Sequence, residues 1–250
     1  MCYAIDALPP LPPIAGGAAD SEDLVLTAAD GTKVAAFAAR TAGPSGGGIV
    51  VLPDVRGLFH FYEELALRFA EQGVTAVAID YFGRTAGAAK RDAEFPFMEY
   101  IPKTRPATIA QDVAAAAAYL RSPAGGSCRS VFTVGFCFGG SNSWMQTAEG
   151  HGVAGAIGFY GNPGPNMADR SPGPLARVGD FKADPGVYRR CRREGFRHEV
   201  ESANPENEVV VYPGAPHSFF DRSYEQYTDE CVDAWRRMLA FIHKHTGAAK

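Results

Sequence analysis

The chain has 250 residues, enough for one large α/β domain with a substantial buried core. It is 46% hydrophobic and 21% charged with a net charge of −4, and it has no basic block, so it carries no electrostatic footprint for nucleic acid. No apolar stretch approaches the ~18 residues of a membrane span, so no membrane partner is expected.

The first twenty residues, MCYAIDALPPLPPIAGGAAD, lack the basic start and sustained apolar core of a signal peptide. Their prolines predict an extended arm, lying on the surface or hanging free, ahead of a single domain over 21–250. DLVLTAADGTKVAAFAAR (23–40) reads as two strands around an Asp30-Gly31 turn. GGGIVVLPD (46–54) is a β-branched run ending in a loop, the mark of a strand buried on both faces. A helix over 61–74, closed by Gly73, leads to a strand over 75–80. TIAQDVAAAAAYLRSP (108–123) is a helix that Pro123 stops. SVFTVGF (130–136) is a strand, followed by a helix from Phe138 and a strand within 153–161. NEVVVYPGAPH (207–217) holds the last strand, and an amphipathic helix over 224–245 closes the chain.

Strands alternating with helices at this spacing call for a mostly parallel, doubly wound sheet. Such sheets bind ligands at the carboxyl ends of their strands. Asp54, Asp80, Cys137 and His217 all follow strands.

VGFCFGGS (134–141) leads a strand into Gly135-Phe136-Cys137-Phe138-Gly139 and then a helix. This is the nucleophile-elbow pattern with cysteine in the serine place. The glycines two residues either side let strand and helix approach, and the turn lifts the sulfur above the sheet edge. The Phe138 amide and the helix's first turn then face any oxyanion formed there, and the positive helix end favours a thiolate. A nucleophilic thiol needs a base, and His217 opens a Gly- and Pro-rich loop of the kind that carries function. The five cysteines are scattered without a CxxC pair, which predicts neither a disulfide framework nor a zinc site and suits a reducing cytoplasm.

The elbow GFCFGG, with VVLPDVRGL (50–58), AIDYFGR (78–84) and VVVYPGAPHSFF (209–220), resembles the dienelactone hydrolases, which are α/β-hydrolase-fold enzymes with a Cys-Asp-His triad. The resemblance covers about residues 20–162 and 207–245. It implies Cys137 as nucleophile, His217 as base, and the Val55 and Phe138 amides as oxyanion hole. Asp54 stands where the family often has a glutamate contacting the resting thiol. Arg84 stands near where family members bind the carboxylate of an anionic lactone. The implied substrate is a small ester or lactone, with no metal or organic cofactor; the oligomeric state is left open.

Residues 162–206 show no apolar run fit for a central strand, so the expected strand there reads as absent or replaced by an exposed excursion. The triad acid belongs in this region. Asp184, 33 residues before His217, leaves room for a helix and a strand between them; Asp180 is the alternative. The charged, weakly patterned stretch over 179–206 would also follow from a local deletion with a shifted reading frame. An acid without its strand would leave the imidazole poorly oriented and the enzyme impaired. The competing reading is a non-catalytic α/β-hydrolase scaffold that binds without turning over.

Overall fold

The structure is a computed structural model describing residues 7–12, 19–43, 46–161, 175–178, 201–202, 204, 206–220 and 224–247. Its strands are β1 (Ala19–Thr27), β2 (Lys33–Thr41), β3 (Gly47–Leu52), β4 (Thr75–Ile79), β5 (Ser130–Phe136), β6 (Gly155–Phe159), β7 (Leu175–Val178) and β8 (Glu208–Val210). Its helices are α1 (His60–Glu71), α2 (Gly83–Ala86), α3 (Phe97–Tyr100), α4 (Pro106–Arg121), α5 (Phe138–Met145) and, closing the chain, α6 (Thr228–His245). The strands form one sheet in the order β1-β2-β4-β3-β5-β6-β7-β8. The β1–β2 and β2–β4 pairs are antiparallel, and every other neighbouring pair is parallel.

The central strands are largely apolar because helices cover both faces. β3, β4 and β6 are buried at every residue. On one face α1 and α6 enclose a core in which Phe69 meets Trp235 edge-on at 4.9 Å. On the other, α4 packs Ile109, Val113, Ala117 and Leu120 against Val50, Val77 and Val131. The run of alanines in α4 keeps that helix close to the strands, since a methyl group fills little of the gap. Part of the proline-rich arm is docked: Pro9, Pro10 and Pro12 are buried, and the Trp235 indole N–H donates to the Pro10 carbonyl at 2.9 Å.

One expectation is overturned. The strand read as absent from 162–206 is present: β7 pairs parallel with β6 on one side and β8 on the other. It escaped notice because it is four residues long, LARV, with an arginine breaking the apolar run. β8 is also shorter than its sequence suggests, since Val211 is exposed and a turn begins at Pro213. The stretch from Gly179 to Val200 lies outside the described residues.

Candidate active site

β5 ends at Phe136 and α5 begins at Phe138, so Cys137 alone makes the turn. It does so with φ 56° and ψ −112°, a backbone conformation that costs a non-glycine residue of order 1–3 kcal/mol. The strain is enforced by contacts on both sides. A methyl group on Gly135 would lie 2.0 Å from the Gly139 carbonyl oxygen, and one on Gly139 would lie 2.2 Å from the carbonyl oxygens of Leu52 and Pro53. Only hydrogen fits at either place. The Cys137 amide donates to the Phe159 carbonyl at 3.0 Å, and its carbonyl accepts from the Ser141 amide at 3.2 Å, pinning the elbow to β6 and α5. Ser143 ties the helix down, its hydroxyl lying 2.8 Å from both the Ile157 carbonyl and the Thr133 hydroxyl. Cys137 is half-buried, whereas Cys128 and Cys231 are buried. The first-turn amides of α5, Phe138 foremost, have no acceptor within the helix.

The loop after β3, which carries Asp54 and Val55, is held by side chains. The Tyr81 hydroxyl donates to the Pro53 carbonyl at 2.8 Å, and the Asp54 amide donates to the Tyr62 hydroxyl at 2.7 Å. The fully buried Asp54 carboxylate accepts from the Arg56 amide at 3.0 Å and faces the Arg56 guanidinium at 3.7 Å. Arg56 in turn lies over the Phe59 ring at 4.6 Å. Asp80, at the end of β4, accepts from the Leu58 and Phe82 amides and pairs with Arg91 through contacts of 3.1 and 2.7 Å. Burial pushes the Asp80 carboxyl above its usual range, and Arg91 pulls against that shift. Asp80 thus fastens one loop to another.

Arg84 takes a similar structural place. It joins Asp30 in the β1–β2 turn at 2.9 Å, Asp112 on α4 at 2.5 Å and Gln111 at 3.2 Å. With its guanidinium committed to three side chains, Arg84 is a strut between α2 and the neighbouring elements.

His217 opens a turn seven residues beyond β8. Aromatic packing sets that turn against the ends of β5 and β6. Phe220 lies 5.9 Å from the ring of Phe136, which precedes Cys137, and 4.7 Å from Phe159, whose carbonyl holds the Cys137 amide. The imidazole packs on Tyr160 with ring centroids 4.7 Å apart. Sequence reasoning passed over Tyr160, which stands directly after β6, the same signal that selected Cys137, and Tyr81, two residues past β4. Asp180 and Asp184 lie outside the described residues.

A mostly parallel sheet with a strained nucleophile elbow between its central strand and the next helix defines the α/β-hydrolase class. Residues 34–246 match the model of the dienelactone hydrolase family, and the chain belongs to that family. An Escherichia coli O157:H7 protein named "Putative carboxymethylenebutenolidase" is 25% identical over 213 residues, covering 80% of this chain and 77% of its own. Among solved structures, a dienelactone hydrolase-like promiscuous phosphotriesterase from metagenomic libraries superposes with a TM-score of 0.74 at 21% identity, covering 92% of this chain and 100% of its own. A Pyrococcus furiosus esterase superposes with a TM-score of 0.69 at 13% identity, covering 98% and 100%. At these identities the structural likenesses speak for the fold. The family membership makes the chain a hydrolase of ester bonds. No helix among the described residues is long and apolar enough to cross a membrane.

Proposed function

We propose that the chain hydrolyses activated esters or lactones through a covalent thioester, with Cys137 as nucleophile and His217 as base. The observation that carries this reading is Cys137 at φ 56°, half-exposed at the elbow between β5 and α5, with glycine at the two places where no side chain fits. Thiolate attack forms the S–C bond, and the carbonyl oxygen takes up negative charge facing the Phe138 and Val55 amides. Collapse breaks the C–O bond, and the imidazolium returns a proton to the leaving oxygen. Water then attacks the thioester, giving up its proton to His217, and the S–C bond breaks to restore the thiolate and release the acid. A thiolate is itself a good leaving group, so substrates that expel a stable oxyanion, such as enol lactones and aryl esters, react best.

Asp54 serves here by holding the loop that presents the Val55 amide, and contact of its carboxylate with the resting thiol belongs to the same reading. The triad acid comes from the stretch after β7. Asp180 stands two residues past the end of that strand and Asp184 six. A strand end is a firmer mount than a position further out, so Asp180 moves ahead of Asp184. The scaffold reading drew on the unusual acid segment; β7 supplies a strand ahead of it, and residues 179–200 themselves lie outside the described ones. Binding of a substrate carboxylate by Arg84 belongs to the same reading, with Asp30 and Asp112 holding its guanidinium in place.

The test is hydrolysis of p-nitrophenyl acetate and of an enol lactone by wild type, Cys137→Ala, Asp180→Asn and Asp184→Asn. Cys137→Ala is expected to fall to the uncatalysed rate while keeping its circular dichroism spectrum. Iodoacetamide is expected to label Cys137 in the wild type well ahead of Cys128 and Cys231. Full activity in Cys137→Ala would sink the covalent reading. A silent Asp180→Asn beside a crippled Asp184→Asn would return the acid to Asp184.

A further inference from the structure

Among the described residues, four that are not glycine have positive φ: Ser127, Cys137, Tyr160 and Ser218. Three of these belong to one place. Cys137 is the proposed nucleophile, Ser218 follows the proposed base, and Tyr160, with φ 38°, lies between them. Strain of this kind persists where surrounding structure over-determines it, and such places concentrate at sites of function.

We infer that Tyr160 is a positioning residue whose ring fixes the imidazole of His217 relative to Cys137. This rests on the covalent reading above. The backbone leading into Tyr160 is anchored to the nucleophile, since the Phe159 carbonyl accepts the Cys137 amide at 3.0 Å. The Tyr160 side chain is buried and held by Phe136 at 6.2 Å, Phe159 at 5.8 Å and Phe219 at 6.0 Å. The same ring packs on that of His217, at 4.7 Å and inclined by 49°. One ring therefore touches the residue before the nucleophile, the residue that bonds the nucleophile's amide, and the base.

The chemistry favours an aromatic wall here. The imidazole must take a proton from sulfur on one nitrogen and be oriented by a carboxylate on the other. A hydrogen-bonding brace would occupy one of those nitrogens, whereas a ring contact limits the tilt of the imidazole and leaves both in play. Glycine would adopt the Tyr160 backbone without strain. Tyrosine at that position brings a rigid plane that glycine lacks. A loose imidazole is costly, because a base displaced by about 1 Å can lower turnover on the order of 100-fold.

The experiment compares wild type with Tyr160→Phe and Tyr160→Leu in steady-state hydrolysis of p-nitrophenyl acetate, with thermal unfolding as the check on folding. Tyr160→Phe keeps the ring and is expected to keep wild-type kcat and KM. Tyr160→Leu keeps apolar bulk without the plane and is expected to lose kcat by about 100-fold at unchanged KM. Should the leucine variant not fold, Tyr160→Met takes its place with the same expectations. If the wild type is active, Cys137→Ala is inactive, and Tyr160→Leu matches wild type, the positioning role fails while the covalent reading stands. A phenylalanine variant as slow as the leucine variant also overturns it, since the ring would then not be what matters. If Cys137→Ala retains activity, both fall together.

Discussion

The two halves of the site are held in place by different physics. The proposed nucleophile, Cys137, follows β5, seven residues long, and its position is set by backbone against backbone: Gly135 on Gly139, and Gly139 on the carbonyls of Leu52 and Pro53. The adjoining loops are tied by polar and ionic contacts, chiefly Asp80 with Arg91 and Arg84 with Asp30 and Asp112. The proposed base follows β8, three residues long, and is held by a stack of rings: Tyr160, Phe219 and Phe220 against Phe136, Phe159 and Trp235. A backbone contact leaves no margin, because a carbonyl in a buried strand cannot retreat. A ring stack is compliant, since side chains can repack around a change of shape. The Cys137 half is therefore fixed and intolerant, and the histidine half is adjustable.

Gly139→Ala should do the most damage. Its new methyl group meets two strand-end carbonyls at 2.2 Å, so the elbow must open or the variant must fail to fold. A loss of about 4 kcal/mol or more is expected, the exceptional end of single-substitution costs, together with loss of hydrolysis. Urea unfolding and an ester assay measure both; a folded, active Gly139→Ala would show that the backbone contact is not the fixing element. Phe220→Ala comes next. Removing a fully buried ring from the stack should cost about 3 kcal/mol and lower kcat by loosening the His217 turn. The contrast between the halves is sharpest in the rescue: Phe220→Leu should limit the cost to about 1.5 kcal/mol, because apolar volume is what the stack needs. No comparable substitution exists at Gly139. If Phe220→Leu is as damaging as Phe220→Ala, the ring stack is as exacting as the elbow and the comparison breaks.

The same difference governs what the sequence made legible. The elbow could be read residue by residue, because its cause is local: glycines two places either side of a cysteine between an apolar run and a helix. β5 and α5 fall where the pattern placed them. The histidine half could be found but not assembled. His217 announced itself by its loop, yet the packing that sets its turn against the ends of β5 and β6 joins Phe220 to rings 61 and 84 positions away (220 − 159 and 220 − 136), which no local pattern reveals. β7 hid because four residues with an arginine among them look like neither a buried strand nor a helix. The setting of Arg84 was hidden for a related reason. Its partners are 54 and 28 residues away, and a lone arginine after a strand looks the same whether it awaits a substrate or clasps two aspartates.

The smallest expected effect separates the halves by charge. Burial pushes the Asp112 carboxyl up to about 6 from 3.8, with Arg84 pulling the other way. Such a carboxyl keeps its proton longer in the folded protein than in the unfolded chain. The stability it contributes is complete below about pH 4 and is lost as pH rises through 6. Asp30, held down to about 2 by Arg84, acts in the opposite sense and at lower pH, its contribution lost only as pH falls below 3.8. Asp80, raised by burial, adds to the Asp112 trend. Asp112→Asn should therefore flatten the decline in urea midpoint between pH 4 and 6 without abolishing it, and should leave hydrolysis at pH 7 close to wild type. Phe220→Leu, which touches no charge, should lower the midpoint by the same amount at both pH values. An unchanged decline in Asp112→Asn would assign the dependence to Asp80 and place the charge sensitivity at the loop beside the elbow, within the half that geometry already makes the less forgiving.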